Sequence, residues 1–211
     1  MQFNHQDAAR EMSIIGLDFD NTLVTYDSLF KKLAIEKNLV DESIIAGKTA
    51  LRNHLRSKGQ DEQFTLLQGE VYGKRIEEAE PAEGMLETLR TIQSRGFKLL
   101  LISHKTKVPY AGPSYDLHNA AKSWLNKYGF FSKDGLSWSN DQVYFEDSKQ
   151  NKVSRIIETG CNYFIDDLPE ILTSLPNSIQ GILYDPLHSN SNKFEFRINS
   201  WIELLSMKEF N

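Results

Sequence analysis

Short apolar runs alternate with longer amphipathic stretches along most of this chain. Runs at 13–17, 98–102, 142–145, 162–165 and 181–184 have strand length, and polar or turn-forming residues follow each. Apolar residues at helical spacing fill 84–95, 115–128 and 148–159, closed by Gly96, Gly129 and Gly160, the residue type that most readily ends a helix in the left-handed conformation. Two further helical patterns lie near 168–175 and 199–208. Strands alternating with helices predict right-handed βαβ units. The expected fold is therefore α/β, a Rossmann-like parallel five-stranded sheet with helices on both faces. Ligands of such sheets bind beyond the carboxyl ends of the strands, so chemistry is expected from the residues that end each run.

One interval breaks the alternation. Residues 25–80 read as mostly helical, with Asp41 and Asp61 as N-caps and Gly59 as a stop, and they predict a small helical insertion. The core is then 1–24 and 81–211, and the insertion 25–80. The Glu80-Pro81 step supports this boundary because proline pushes the preceding residue out of the helical region. Inside the insertion, Lys48, Arg52 and Arg56 recur every four residues with no acidic residue between Ser43 and Gln60. On one helix they form a basic stripe beside an apolar face of Ile44, Leu51 and Leu55.

Composition narrows the function classes. With 211 residues, 40% of them hydrophobic, the chain can bury a sizeable core, which excludes disorder as its dominant state. A formal net charge of −5 gives no general field for polyanions, so nucleic acid is not an expected partner. A single cysteine, Cys161, allows no internal disulfide and no thiolate metal site, which fits a reducing compartment. No apolar run approaches the roughly 18 residues of a membrane span, and the start of the chain lacks a signal-peptide pattern. A cytoplasmic protein without a membrane partner is expected, and nothing in the pattern speaks to its oligomeric state.

The strand ends carry the chemistry. The first run leads into Asp18-Phe19-Asp20-Asn21-Thr22, whose carboxylates at i and i+2 can share one side of an extended segment. The second run ends at Ser103, the fourth at Asp166-Asp167, and Lys149 and Lys152 open the helix after the third. Three or four buried carboxylates repel one another by several kcal/mol unless a cation neutralises them, and an oxygen-only ligand set suits Mg²⁺. A phosphate dianion likewise repels an attacking carboxylate, so cations are needed at both, and the departing alkoxide needs a proton.

These four motifs, in this order, resemble the haloacid dehalogenase (HAD) superfamily, with its Asp-x-Asp-x-Thr motif, a Ser/Thr, a Lys and a final acidic pair, over nearly the whole chain. The resemblance implies a phosphatase acting on a small phosphorylated metabolite. Asp18 would be the nucleophile that forms an aspartyl-phosphate, and Asp20 the general acid/base, its backbone carbonyl also on the metal. Ser103 would hold a phosphoryl oxygen, and Lys152 or Lys149 would neutralise nucleophile and phosphate. Asp166, with Asp167, would complete the Mg²⁺ shell alongside Asp18 and Asp20. The family pattern Lys-Val-x-x-Ile favours Lys152. It also implies that 25–80 is a cap that reads the leaving group. Phosphomutases and phosphotransferases of the superfamily share these residues. A non-enzymatic receiver combines similar residue types, but its acidic pair comes first in the chain, whereas here it comes last; a scaffold relative would not fill every motif position. His104 has no necessary role in carboxylate chemistry and reads as structural or substrate-adjacent. Cys161 reads as a small core residue, Trp138 as packing or the mouth of the site, 112–116 as part of an entrance, and 188–192 as a surface loop.

Overall fold

The computed structural model describes residues 13–43, 47–190 and 194–211. In chain order its elements begin with β1 (Ile14–Leu17), β2 (Val24–Thr25), α1 (Asp27–Glu36), α2 (Lys48–Ser57), α3 (Asp61–Tyr72) and β3 (Glu80–Pro81). There follow α4 (Met85–Ser94), β4 (Lys98–His104), α5 (Leu117–Lys127), β5 (Val143–Glu146), α6 (Lys149–Glu158), β6 (Tyr163–Asp166), α7 (Pro169–Thr173), β7 (Gln180–Tyr184) and β8 (Arg197–Ile198). Two compact units emerge, one of Met1–Leu23, Pro81–His104 and Gly129–Asn211, the other of Val24–Glu80 and Lys105–Tyr128.

The first unit holds a six-stranded parallel sheet in the order β5-β4-β1-β6-β7-β8. β1 lies at its centre because both of its edges are paired, Leu17 with Leu101 on one side and with Ile165 on the other. Leu100, Ile102, Ile156, Cys161, Phe164, Ile171 and Leu183 form a buried cluster on one face, where α6 covers the strands. Gly16 belongs to that face by necessity: a Cβ there would stand 2.5 Å from Cδ2 of Phe164, whose ring lies across it. Ser148 caps α6, accepting the Asn151 amide at 3.1 Å.

The second unit is helical. Phe30 and Phe64 stack at 5.7 Å between ring centroids, and Tyr26 meets Tyr72 edge-on at 4.8 Å. Trp124 of α5 donates its indole N–H to the Ala79 carbonyl at 2.9 Å. The start of α2 is tied by Asp27, which accepts the Lys48 amide at 2.8 Å.

Several expectations change. The sheet has six strands, not five: β8 pairs through Leu183 N–H to Phe196 O and Asp185 N–H to Ile198 O, a contact that no apolar run announces because the strand is two residues long. The helix expected at 199–208 is instead two 3₁₀ segments, Trp201–Ser206 and Lys208–Phe210. Asp41 accepts from Ser43 in a turn and caps no helix among the described residues, while Asp61 is the first residue of α3, one beyond the cap position. Lys105–Tyr128, which the pattern places in the α/β core, clusters with the helical unit. Leu51 and Leu55 are buried as expected; Ile44 lies outside the described residues.

Candidate active site

The hydrogen-bonded ladder between β1 and β6 runs one step past the strand, Asp18 N–H donating to Ile165 O at 2.9 Å, which carries Asp18 onto the carboxyl edge of the sheet. Because side chains alternate along a strand, Asp18 follows Gly16, and Asp166 follows Phe164, on the face that α6 covers. The chain then turns back at once: Asn21 has φ 59°, a left-handed conformation asparagine tolerates well, and Leu23 N–H returns to Phe19 O at 3.0 Å. Phe19 is buried, so the segment that carries Asp18 and Asp20 is anchored between them.

Lys152 reaches this edge from the first turn of α6. Its ammonium donates to Asp18 Oδ1 at 2.5 Å and to Asp166 Oδ2 at 2.6 Å, and all three groups are almost wholly buried. The other oxygen of Asp166 accepts the Leu168 amide at 2.9 Å. Burial opposes the charge of Lys152, but the two carboxylates outweigh it and hold the ammonium above the ordinary lysine range. Burial, then the neighbouring charges of Asp18 and Asp166, push Asp167 up to about 8. Burial likewise raises Asp166 to about 6, with Lys152 pulling the other way. Ser103 is the penultimate residue of β4, which pairs with β1; its hydroxyl is buried and has no hydrogen-bond partner.

No family model matches the chain, and no curated protein matches its sequence. Solved structures do. The chain is similar to a HAD-superfamily hydrolase of subfamily IA from Geobacter sulfurreducens, with 13% identity, 93% of this chain and 96% of that one covered, and a TM-score of 0.54. A haloacid dehalogenase-like family hydrolase from Streptococcus pneumoniae gives 16% identity, 93% and 98% coverage, and a TM-score of 0.59. A predicted phosphoglycolate phosphatase from Haemophilus somnus gives 12%, 93% and 97%, and 0.52. The fold is that of the HAD-superfamily hydrolases.

Within this HAD fold, Asp18, Asp166 and Asp167 each offer a carboxylate oxygen within 4.8 Å of the others. Three carboxyl groups share one ammonium, so the cluster lacks positive charge, and the donors are all hard oxygens. The residues therefore fit Mg²⁺ in charge and in ligand type. The Asp20 carboxylate is not one of the three, which leaves its backbone carbonyl as the atom that the HAD resemblance assigns to the cation. Lys149 stays outside the cluster, exposed and paired with Glu170.

Other candidates fall elsewhere. Trp138 is core, edge-on to Phe130 at 5.0 Å and hydrogen-bonded to Gln93, and not a rim residue. Asp116 of the 112–116 segment caps α5. Cys161 is buried, and burial pushes its thiol above the ordinary range. Lys105 carries no signal in the sequence, since Lys-Thr-Lys reads as exposed, yet it is buried, with Nζ 5.2 Å from the centre of the Tyr72 ring. His104 is placed 3.2 Å from the Asp147 carbonyl, a partner that local pattern does not reveal.

Proposed function

We propose that this protein is a Mg²⁺-dependent HAD-type phosphatase that hydrolyses a small phosphate monoester through an aspartyl-phosphate on Asp18. The observation that carries the reading is the buried Lys152 ammonium held by both Asp18 and Asp166 at the carboxyl edge of the sheet; Ser103, near the same end of the neighbouring strand β4, has a buried hydroxyl with no partner of its own. Lys152 pairs with Asp18 and offsets the charge of the incoming phosphate. Asp18 attacks phosphorus; Asp20 gives its proton to the departing alkoxide and then takes one from the water that releases inorganic phosphate. Ser103 donates its hydroxyl hydrogen to a phosphoryl oxygen. Mg²⁺, held by Asp18, Asp166, Asp167 and the Asp20 carbonyl, would neutralise the phosphoryl oxygens.

In this reading 25–80 is a cap whose residues select the leaving group. The members of the basic stripe contribute unequally to that selection, since Arg56 is paired with Asp61 at 2.8 Å and Lys48 Nζ lies 5.3 Å from the centre of the Tyr72 ring, which makes Arg52 the better candidate to meet a substrate. Neighbours with phosphoglycolate phosphatase descriptions make small phosphorylated acids the first compounds to assay, followed by sugar phosphates and nucleotides. The test is Mg²⁺-dependent turnover of p-nitrophenyl phosphate, silenced reversibly by chelation and abolished in Asp18→Asn. Full activity in excess chelator, or in Asp18→Asn, would remove the proposal.

A further inference from the structure

The carboxyl end of β4 presents two adjacent residues to opposite faces of the sheet. Ser103 is one. His104 is the other, on the side of Leu100 and Ile102, which pack with Ile156 of α6. A carbonyl oxygen only accepts hydrogen bonds, so the His104 Nε2 that lies 3.2 Å from Asp147 O carries the proton and donates it. Asp147 immediately precedes Ser148, the cap of α6, and the Ser148 carbonyl accepts the Lys152 amide at 3.0 Å.

The Ser148 cap and the exposed Lys149–Glu170 pair also act on that first turn. Lys149, Gln150 and Asn151 are exposed, so packing holds none of them, whereas Lys152 is buried. Its ammonium must also satisfy two carboxylates at once, at 2.5 and 2.6 Å. A shift of the turn by about 1 Å would lengthen one of these bonds past useful range.

We infer that His104 is a positioning residue for Lys152, its hydrogen bond to the Asp147 carbonyl fixing the start of α6 so that the ammonium meets Asp18 and Asp166 together. His104 thus serves the site indirectly, by holding the helix that supplies its cation. The kinetic consequence rests on the phosphatase reading; the placement of Lys152 does not.

The test compares His104→Phe, which keeps a ring against the α6 side without a donor, with His104→Gln, whose amide N–H₂ has a similar reach. For p-nitrophenyl phosphate with Mg²⁺, His104→Phe should lower kcat about tenfold or more with KM within about twofold, and His104→Gln should recover most of it. Trace acetylation of the metal-free protein, read by peptide mass spectrometry, should find Lys152 more reactive in His104→Phe and protected again in His104→Gln. Thermal unfolding shows that each variant is folded, and His104→Leu replaces the Phe variant if that one is not. Unchanged kcat and unchanged Lys152 labelling in the donor-free variant would overturn the inference, as would a glutamine variant no better than it. If the wild type hydrolyses no phosphate monoester, the phosphatase reading falls, and the labelling still decides the role of His104.

Discussion

Lys149 and Lys152 differ by less than one helical turn, yet only one is buried among carboxylates. Lys152→Ala should abolish turnover and, by leaving Asp18 and Asp166 buried without their cation, cost about 3–5 kcal/mol in chelator as measured by denaturant unfolding. Lys149→Ala removes an exposed pair with Glu170 and should change stability by less than about 1 kcal/mol while sparing activity. Loss of activity in Lys149→Ala with retention in Lys152→Ala would reverse the assignment. Asp20 carries a different expectation, because a general acid matters most when the leaving group is basic. Asp20→Asn should lose roughly 10² to 10⁴ in kcat on alkyl phosphates and markedly less on p-nitrophenyl phosphate. Equal losses on both substrate types would contradict the acid role.

Strands β1 and β6 meet where Gly16 faces Phe164, and the fit there sets the height of Asp18 and Asp166 one step further along each strand. In Gly16→Ala the new methyl would stand 2.5 Å from the Phe164 ring and 2.9 Å from Cys161 Sγ, so the strands must part or the ring must turn. The expected cost is about 1–3 kcal/mol by denaturant unfolding, with a fall in activity; a variant of wild-type stability would show that the ring moves freely. At the end of β7, Asp185 is buried and organises the loop that follows, accepting the Ser189 amide at 2.9 Å and the Asn190 amide at 3.2 Å. Burial opposes its charge, but these donors prevail and hold the carboxyl below its ordinary value of 3.8. A carboxyl with a depressed native pKa contributes stability above its unfolded pKa and loses it as pH falls through the native value. Asp185→Asn should therefore cost about 1–3 kcal/mol at pH 7, and its deficit against the wild type should shrink as the pH is lowered below about 4. A deficit that is constant from pH 7 to pH 3 would exclude the ionised carboxylate as the cause.

For the molecule as a whole, the first unit carries a carboxyl cluster short of positive charge, which a divalent cation would supply. Mg²⁺ at about 100 times its dissociation constant should stabilise the folded protein by about 2.7 kcal/mol, or roughly 5–10 °C in Tm for a chain of this size. Asp166→Asn removes one charge and one oxygen ligand, so the Mg²⁺-induced shift should largely vanish, read by thermal unfolding in Mg²⁺ and in chelator. An undiminished shift in that variant would place the cation elsewhere. Among the described residues, no helix is long and apolar enough to cross a membrane.

The sequence by itself determined the α/β alternation and the residues at the strand ends. Both are local: apolar periodicity reports which side of an element is buried, and Asp18-Phe19-Asp20 and Phe164-Ile165-Asp166-Asp167 are contiguous, so their carboxylates follow the strands wherever these go. Tertiary structure decided what covers each buried face. It selected Lys152, because α6 lies over the face of Gly16 and Phe164 and only that position of its first turn looks inward. It added β8, whose two residues pair by backbone hydrogen bonds, although Phe194, Phe196 and Ile198 do alternate with Glu195 and Arg197. It drew 105–128 into the helical unit, where Trp124 finds the Ala79 carbonyl 45 residues away. It also gave His104 its partner, Asp147, 43 residues on. A periodic pattern fixes an element's orientation toward the interior but leaves its neighbour open, and long-range hydrogen bonds and ion pairs depend on that neighbour.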